Sequence, residues 1–218
     1  MLKLLLSLMF AALLPGTASA QEMGTAMIAY DEDDAPRLLV ANQGAGSVTL
    51  LERKSGKRLN EVQLGGDLRQ LARADDGTLL VTDYRGDRLL LLDDDLDLEK
   101  AIPTGHRPYG VIFDPKRRWF WVSLFESGRL QAYDSSGKLQ LDAETAETPR
   151  GLALTDDDHL LLTHAMTGQL AIYDLAKLEK GATLPKPKLI TLAETHSDTP
   201  SDSQGLPRLL DGIALSPD

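Results

Sequence analysis

A block of thirteen residues occurs four times in the 218-residue chain, and that repetition limits the fold before any single residue is weighed. It reads VANQGAGSVTLLE from Val40, VTDYRGDRLLLLD from Val81, VSLFESGRLQAYD from Val122 and LTHAMTGQLAIYD from Leu162, so successive starts lie 41, 41 and 40 residues apart. A fixed period of this length marks a repeat array whose units stack on one another. Within each block a β-rich arm ends at the third residue and a turn closes on Gly46, Asp87, Gly128 or Gly168. A second arm then alternates outward to Glu52, Asp93, Asp134 or Asp174, which is the pattern of a hairpin.

A second segment recurs between the blocks: RQLARADDG from Arg69, YGVIFDPKR from Tyr109, RGLALTDDD from Arg150 and DGIALSPD from Asp211. Each repeat therefore reads as four short strands, in the third copy Gly110 to Phe113, Arg118 to Leu124, Arg129 to Tyr133 and a weaker outer strand at Lys138 to Leu141. Apolar runs of four to seven residues punctuated by Asp, Gly, Pro and Ser favour strand over helix. Four strands in about 41 residues predict an all-β fold, a β-propeller of four-stranded antiparallel blades. The expected blades are 25–64, 65–105, 106–147 and 148–205, with about twenty inserted residues between Thr183 and Leu206 and the inner strand of a fifth blade in 206–218. That leftover strand favours the N-terminal part of a longer, incomplete ring over a closed four-bladed one. Gly110 and Gly151 fall on crowded inner strands, where a side chain has little room, and Gly137 falls in an outer turn.

These repeats resemble the bacterial YVTN-type propeller family. The resemblance rests on Gly105-His106-Arg107-Pro108-Tyr109-Gly110-Val111, Ser216-Pro217-Asp218, Leu39-Val40-Ala41-Asn42 and Leu130-Gln131-Ala132-Tyr133-Asp134, and it runs from about Thr25 to the end. It implies a fold and no single activity. Ser197 to Leu210 also resembles a loop of exported propellers that are followed in the same chain by a di-haem cytochrome c peroxidase-like domain. That likeness implies a haem domain beyond Asp218. No Cys-x-x-Cys-His occurs in these residues, so the chain itself is expected to hold no cofactor.

The first twenty residues stand apart from the repeats. Lys3, the apolar run Leu4 to Leu14, the break at Pro15-Gly16 and the small residues Ala18-Ser19-Ala20 have the form of a cleaved signal peptide, and the run is shorter than the roughly 20 residues that cross a bilayer. The expected location is periplasmic or secreted, without membrane insertion after cleavage. The chain has no cysteine, so no disulfide or thiolate metal site enters the argument and stability must come from packed core. A formal net charge of −10 with no basic run argues against nucleic acid as a partner.

Most conspicuous clusters have plain explanations. Asp31-Glu32-Asp33-Asp34, Asp75-Asp76, Asp114, Asp156-Asp157-Asp158 and Asp218 recur at the first turn of successive repeats, where Asp serves as a turn former. Asp93-Asp94-Asp95 lacks the glycine and glutamate of a calcium loop, with Leu98 and Thr104 at those positions. The histidines His106, His159, His164 and His196 have no metal-ligand spacing. Trp119-Phe120-Trp121, with Phe125, is expected to pack between blades, Trp119 and Trp121 on one side and Phe120 on the other.

One pattern points to a site. In a meander blade the second turn and the inter-blade link open on the face opposite the acidic turns. That face collects Arg69, Arg85, His106, Arg107, Arg150 and Arg208, partly offset by Asp67, Asp83 and Glu126. Arg69, Tyr109 and Arg150 occupy one repeat position just before the inner strand and should converge near the axis. The candidate ligand-binding residues are these and His164, and the expected ligand is a protein partner or a small anion held by guanidinium N–H pairs. The leading expectation is an exported binding module. The alternatives are the propeller part of a haem-dependent redox protein and a lactonase-like hydrolase, although no catalytic or metal constellation is evident in the residues.

Overall fold

In a computed structural model, residues 26–192 are described except 33, 34, 179, 180 and 182, together with residue 213. Among these described residues, sixteen strands form four antiparallel sheets of four strands each. The first sheet comprises β1 (Met27–Glu32), β2 (Ala35–Asn42), β3 (Ser47–Glu52) and β4 (Arg58–Gln63). The second comprises β5 (Leu68–Arg73), β6 (Leu79–Asp83), β7 (Arg88–Leu92) and β8 (Leu98–Pro103). The third is β9 (Pro108–Asp114), β10 (Trp119–Leu124), β11 (Arg129–Asp134) and β12 (Leu139–Glu144), and the fourth β13 (Pro149–Leu154), β14 (His159–His164), β15 (Gln169–Asp174) and β16 (Lys188–Thr191). Each sheet is a simple meander in chain order, which is the blade of a β-propeller.

The second-turn positions picked out in the sequence share one backbone conformation. Gly46, Asp87, Gly128 and Gly168 have φ of 64°, 51°, 61° and 64°, the left-handed turn that glycine and Asp tolerate best. The fourth blade departs from the expected layout. Its outer strand β16 lies inside the stretch assigned to the insertion, and residues 175–187 join it to β15 where residues 135–138 suffice in the third blade. The inserted length is thus divided across β16. The expected inner strand of a fifth blade, in 206–218, lies outside the described residues except for residue 213.

Packing follows strand alternation. Leu39, Ala41 and Val48 of the first blade meet Leu71, Leu79 and Val81 of the second in one core. Leu80, Leu89 and Leu91 meet Val111, Phe120 and Val122 in the next. Trp119 and Trp121, edge to face at 5.8 Å, meet Leu152, Leu160 and Leu162 in the third. The aromatic triplet splits between two cores as its alternation requires, but Phe125 belongs to neither. Among the described residues no core joins the fourth blade to the first.

Hydroxyl groups stitch the inner strands together. Thr82 Oγ1 accepts from Gln70 N–H at 3.0 Å and donates to Tyr109 C=O of the next blade at 2.7 Å. Ser123 Oγ repeats this, accepting from Gly110 N–H at 2.8 Å and donating to Arg150 C=O at 2.7 Å. Thr163 Oγ1 accepts from Gly151 N–H at 2.9 Å. Each hydroxyl sits opposite two residues, because the register slips between Leu68 and Leu71, between Pro108 and Val111 and between Pro149 and Leu152. These are β-bulges, which bend a strand and re-aim its side chains. A Cβ on Gly110 would lie 2.2 Å from Arg150 O, so the inner strand has no room there. Gly137 is a poor contrast to it, since its φ of 82° also disfavours a side chain.

Candidate functional site

The bulges lie at Arg69-Gln70, Tyr109-Gly110 and Arg150-Gly151, so the three side chains at the convergent position come from the same irregularity in successive inner strands. The second turns join them. Tyr84 N–H donates to Asp67 C=O at 2.9 Å, Phe125 N–H to Arg107 C=O at 2.9 Å and Ala165 N–H to Thr148 C=O at 3.0 Å, tying each second turn to its inter-blade link. Turn and link therefore open on one face, as the meander requires.

On that face cations and rings alternate across three blades. The Arg69 guanidinium lies 4.7 Å from the Tyr84 ring centre and 5.8 Å from that of Tyr109. Arg107 lies 5.2 Å from Tyr84, and Arg150 lies 4.3 Å from Tyr109. Tyr84, Tyr109 and Phe125 form a triangle with centroid separations of 6.2, 6.3 and 6.0 Å. Arg150 also donates to the Tyr109 hydroxyl. Cation–π contacts at exposed sites contribute about 0.5–1 kcal/mol each, so the rings chiefly hold the guanidiniums in position. The centre is a shallow depression of about 320 Å³ lined by Asp67, Arg69, Tyr84, Arg85, Arg107 and Phe125, with Glu126 at its edge.

Acidic neighbours offset part of this charge. Asp67 accepts from Arg69 at 2.7 Å and also faces Arg85 Nε at 3.4 Å, while Arg107 pairs with Glu126 at 3.1 Å. Asp83 serves the scaffold: fully buried, it accepts from the Asp67 and Gly86 N–H groups and pairs with Arg88 at 2.8 Å. His106 stands at the rim, 78% exposed, with Nδ1 3.1 Å from Asp87. The Arg107 backbone N–H and His106 hold the Asp87 carboxyl below its ordinary range. His164 is placed elsewhere. It is fully buried, and burial lowers its pKa, offset only in part by the Gln169 backbone. Arg208 and His196 lie outside the described residues.

Two ring residues of this face, Tyr84 and Phe125, escape the sequence reading, which grouped Phe125 with the tryptophans. The signal was present in the repeat. Both follow the third residue of their block, at the position of Gln43 and Ala165, so register alone places them on the second-turn face.

The opposite face is more than a set of solvated turns. Arg118 reaches Asp75 at 2.9 Å and Asp76 at 3.1 Å in the preceding blade. Arg117 pairs with Asp114 at 3.0 Å and with Asp158 of the following blade at 2.7 Å, and Lys116 adds a further contact to Asp158 at 2.5 Å. Hydrogen bonds from Arg117 and Lys116 hold the Asp158 carboxyl at about 2 against the cost of burial. The acidic turns thus also rivet neighbouring blades. Asp93 behaves as the turn former expected, accepting from Asp95 N–H at 3.0 Å and Asp97 N–H at 2.8 Å.

No protein-family model matches the chain, and no curated protein matches it. Solved structures do. The chain is similar to a streptogramin B lyase, with TM-score 0.60 at 13% identity over 80% of this chain and 56% of that one. It is similar to the hydrazine synthase of Kuenenia stuttgartiensis, with TM-score 0.63 at 18% identity over 84% and 53%. It is also similar to the β-propeller domain of Cps50 (Swd1) from Myceliophteria thermophila, with TM-score 0.60 at 17% identity over 71% and 54%. The chain spans about half the length of these structures. At such identities the likeness is one of fold: the chain has the β-propeller fold, shared by proteins of diverse function.

Proposed function

We propose that this chain is the propeller of an exported, YVTN-type binding protein that takes a small anion, or an anionic group of a protein partner, at the arginine-bearing face. The observation that carries the reading is the cation and ring array of Arg69, Tyr84, Arg107 and Phe125 around one depression. Three guanidiniums against two carboxylates leave the lining with a net positive charge, in a chain whose formal charge is −10. The rings pre-set the arginines, so less side-chain freedom is lost when an anion arrives. Export is read from Leu4 to Ala20, and the repeat type from Gly105 to Val111.

The test is thermal unfolding in increasing acetate at constant ionic strength, for the natural sequence and for Arg85→Glu. Binding to the folded state raises Tm by mass action. The reading expects acetate to raise Tm of the natural protein and to leave the variant unchanged. Equal responses in both would refute it.

A further inference from the structure

Resting on that reading of the face, we infer that its ligand is a planar aromatic ring bearing a single carboxylate. Charge sets the first half of this description. Within the depression Arg69, Arg85 and Arg107 face Asp67 and Glu126, so one positive charge remains to be matched. Asp67 is already engaged at 2.7 Å by Arg69 and stands 3.4 Å from Arg85, whose side chain is 75% exposed. Arg85 is therefore the guanidinium with most to gain from a new carboxylate, and its two parallel N–H groups match that group's oxygens. A dianion would exceed the charge on offer, and an uncharged ring would leave it unmatched.

Shape and chemistry set the second half. Tyr84 and Phe125 are half-buried, their ring centres 6.3 Å apart, and both line the depression between Arg69 and Arg107. Arg69 and Arg107 already lie over the Tyr84 ring, so a planar π system would stack on the half-buried Phe125 ring and on the flat guanidiniums, which an aliphatic anion covers poorly. At about 320 Å³ the space lies at the low end for small-molecule sites, which suits a single ring.

The full chain is titrated by calorimetry with benzoate, acetate and benzamide at constant ionic strength, alongside Arg85→Gln and Phe125→Leu, with circular dichroism to confirm folding. Benzoate should bind about tenfold more tightly than either acetate or benzamide. Arg85→Gln should bring benzoate down to the level of benzamide, and Phe125→Leu should bring it down to that of acetate. Acetate binding as well as benzoate would overturn the inference and leave the anion site standing. Benzamide binding as well as benzoate would overturn the carboxylate half. Absence of binding by both anions to a folded chain would overturn the inference together with the reading it rests on.

Discussion

Asp158 keeps its charge inside the protein because Arg117 and Lys116 compensate its burial, and the side chains of Arg117 and Asp158 are each only 8% exposed. With the folded carboxyl at about 2 and its ordinary value 3.8, the unfolded chain binds more protons between those pH values. The stability from this group is therefore complete above pH 3.8 and is lost as pH falls towards 2. Removing one partner of a buried pair costs about 3 kcal/mol, so Asp158→Asn should lower the urea midpoint sharply at pH 7. The gap to the natural protein should narrow below pH 3.8, and a gap independent of pH would contradict the assignment.

His164 runs the other way from a useful ion pair. Its ring is buried, with the Gln169 backbone offsetting only part of the lost hydration, at the repeat position filled by the buried Leu124 in the third blade. A buried polar group left incompletely satisfied costs about 1 kcal/mol or more, so His164→Leu should raise stability. Since burial lowers the histidine pKa from 6.5, its neutral form suits the fold above pH 6.5, and stability is lost as pH falls from there towards the lowered value. The gain from the substitution should therefore be larger at pH 5.5 than at pH 8, as read by urea unfolding. A destabilised variant at both pH values would show that the imidazole is satisfied after all.

Among the strands, Thr82 and Ser123 do what strand pairing alone cannot, since each bulge frees an inner-strand N–H that the hydroxyl takes up. Ser123→Ala leaves the Gly110 N–H and the Arg150 C=O without this partner and should cost about 2 kcal/mol. Gly110→Ala should cost more, because backbone rather than a flexible side chain stands in its way. Gly44→Ala, with nothing within 4 Å of the added carbon, is the matched control. Equal urea midpoints for all three would contradict the bulge geometry. The period made the strands and turns legible, and the alternation of Trp119, Phe120 and Trp121 correctly assigned them to two cores. The bulges were not legible, because spacing does not reveal which N–H a hydroxyl will accept from, even though Thr82, Ser123 and Thr163 recur at one block position. Strand β16 was missed for a related reason: Leu189-Ile190 is a lone apolar pair among prolines and lysines, too short to show a period. At the site, the arginines could be read from register and charge. The rings that orient them, Tyr84 and Phe125, sit at the fourth position of their blocks and are open to the same register argument, but Phe125 lies so near Trp119, Phe120 and Trp121 in the chain that it reads as one of the core aromatics.

For the whole molecule, three cores serve four blades among the described residues. Leu161, Leu170 and Ile172 of the fourth blade are half-buried, whereas Leu80, Leu89 and Leu91 at the same positions of the second are buried. Val40 of the first blade is likewise half-buried where Val81 and Val122 are fully buried. Apolar blade sides of this kind favour association. Light scattering on this chain alone should show self-association that Leu161→Glu weakens, and a concentration-independent monomer would mean that those sides are covered. The same architecture sorts charge by face, with blade-riveting acids on one and the arginine and ring array on the other. Acetate titrated at constant ionic strength into isotopically labelled protein reads that division by NMR. Amide shifts should be confined to Asp67–Arg69, Tyr84, Arg85, Arg107 and Phe125, and shifts centred on Asp75, Asp76, Asp157 and Asp158, or spread evenly over both faces, would contradict an anion site on the arginine-bearing face.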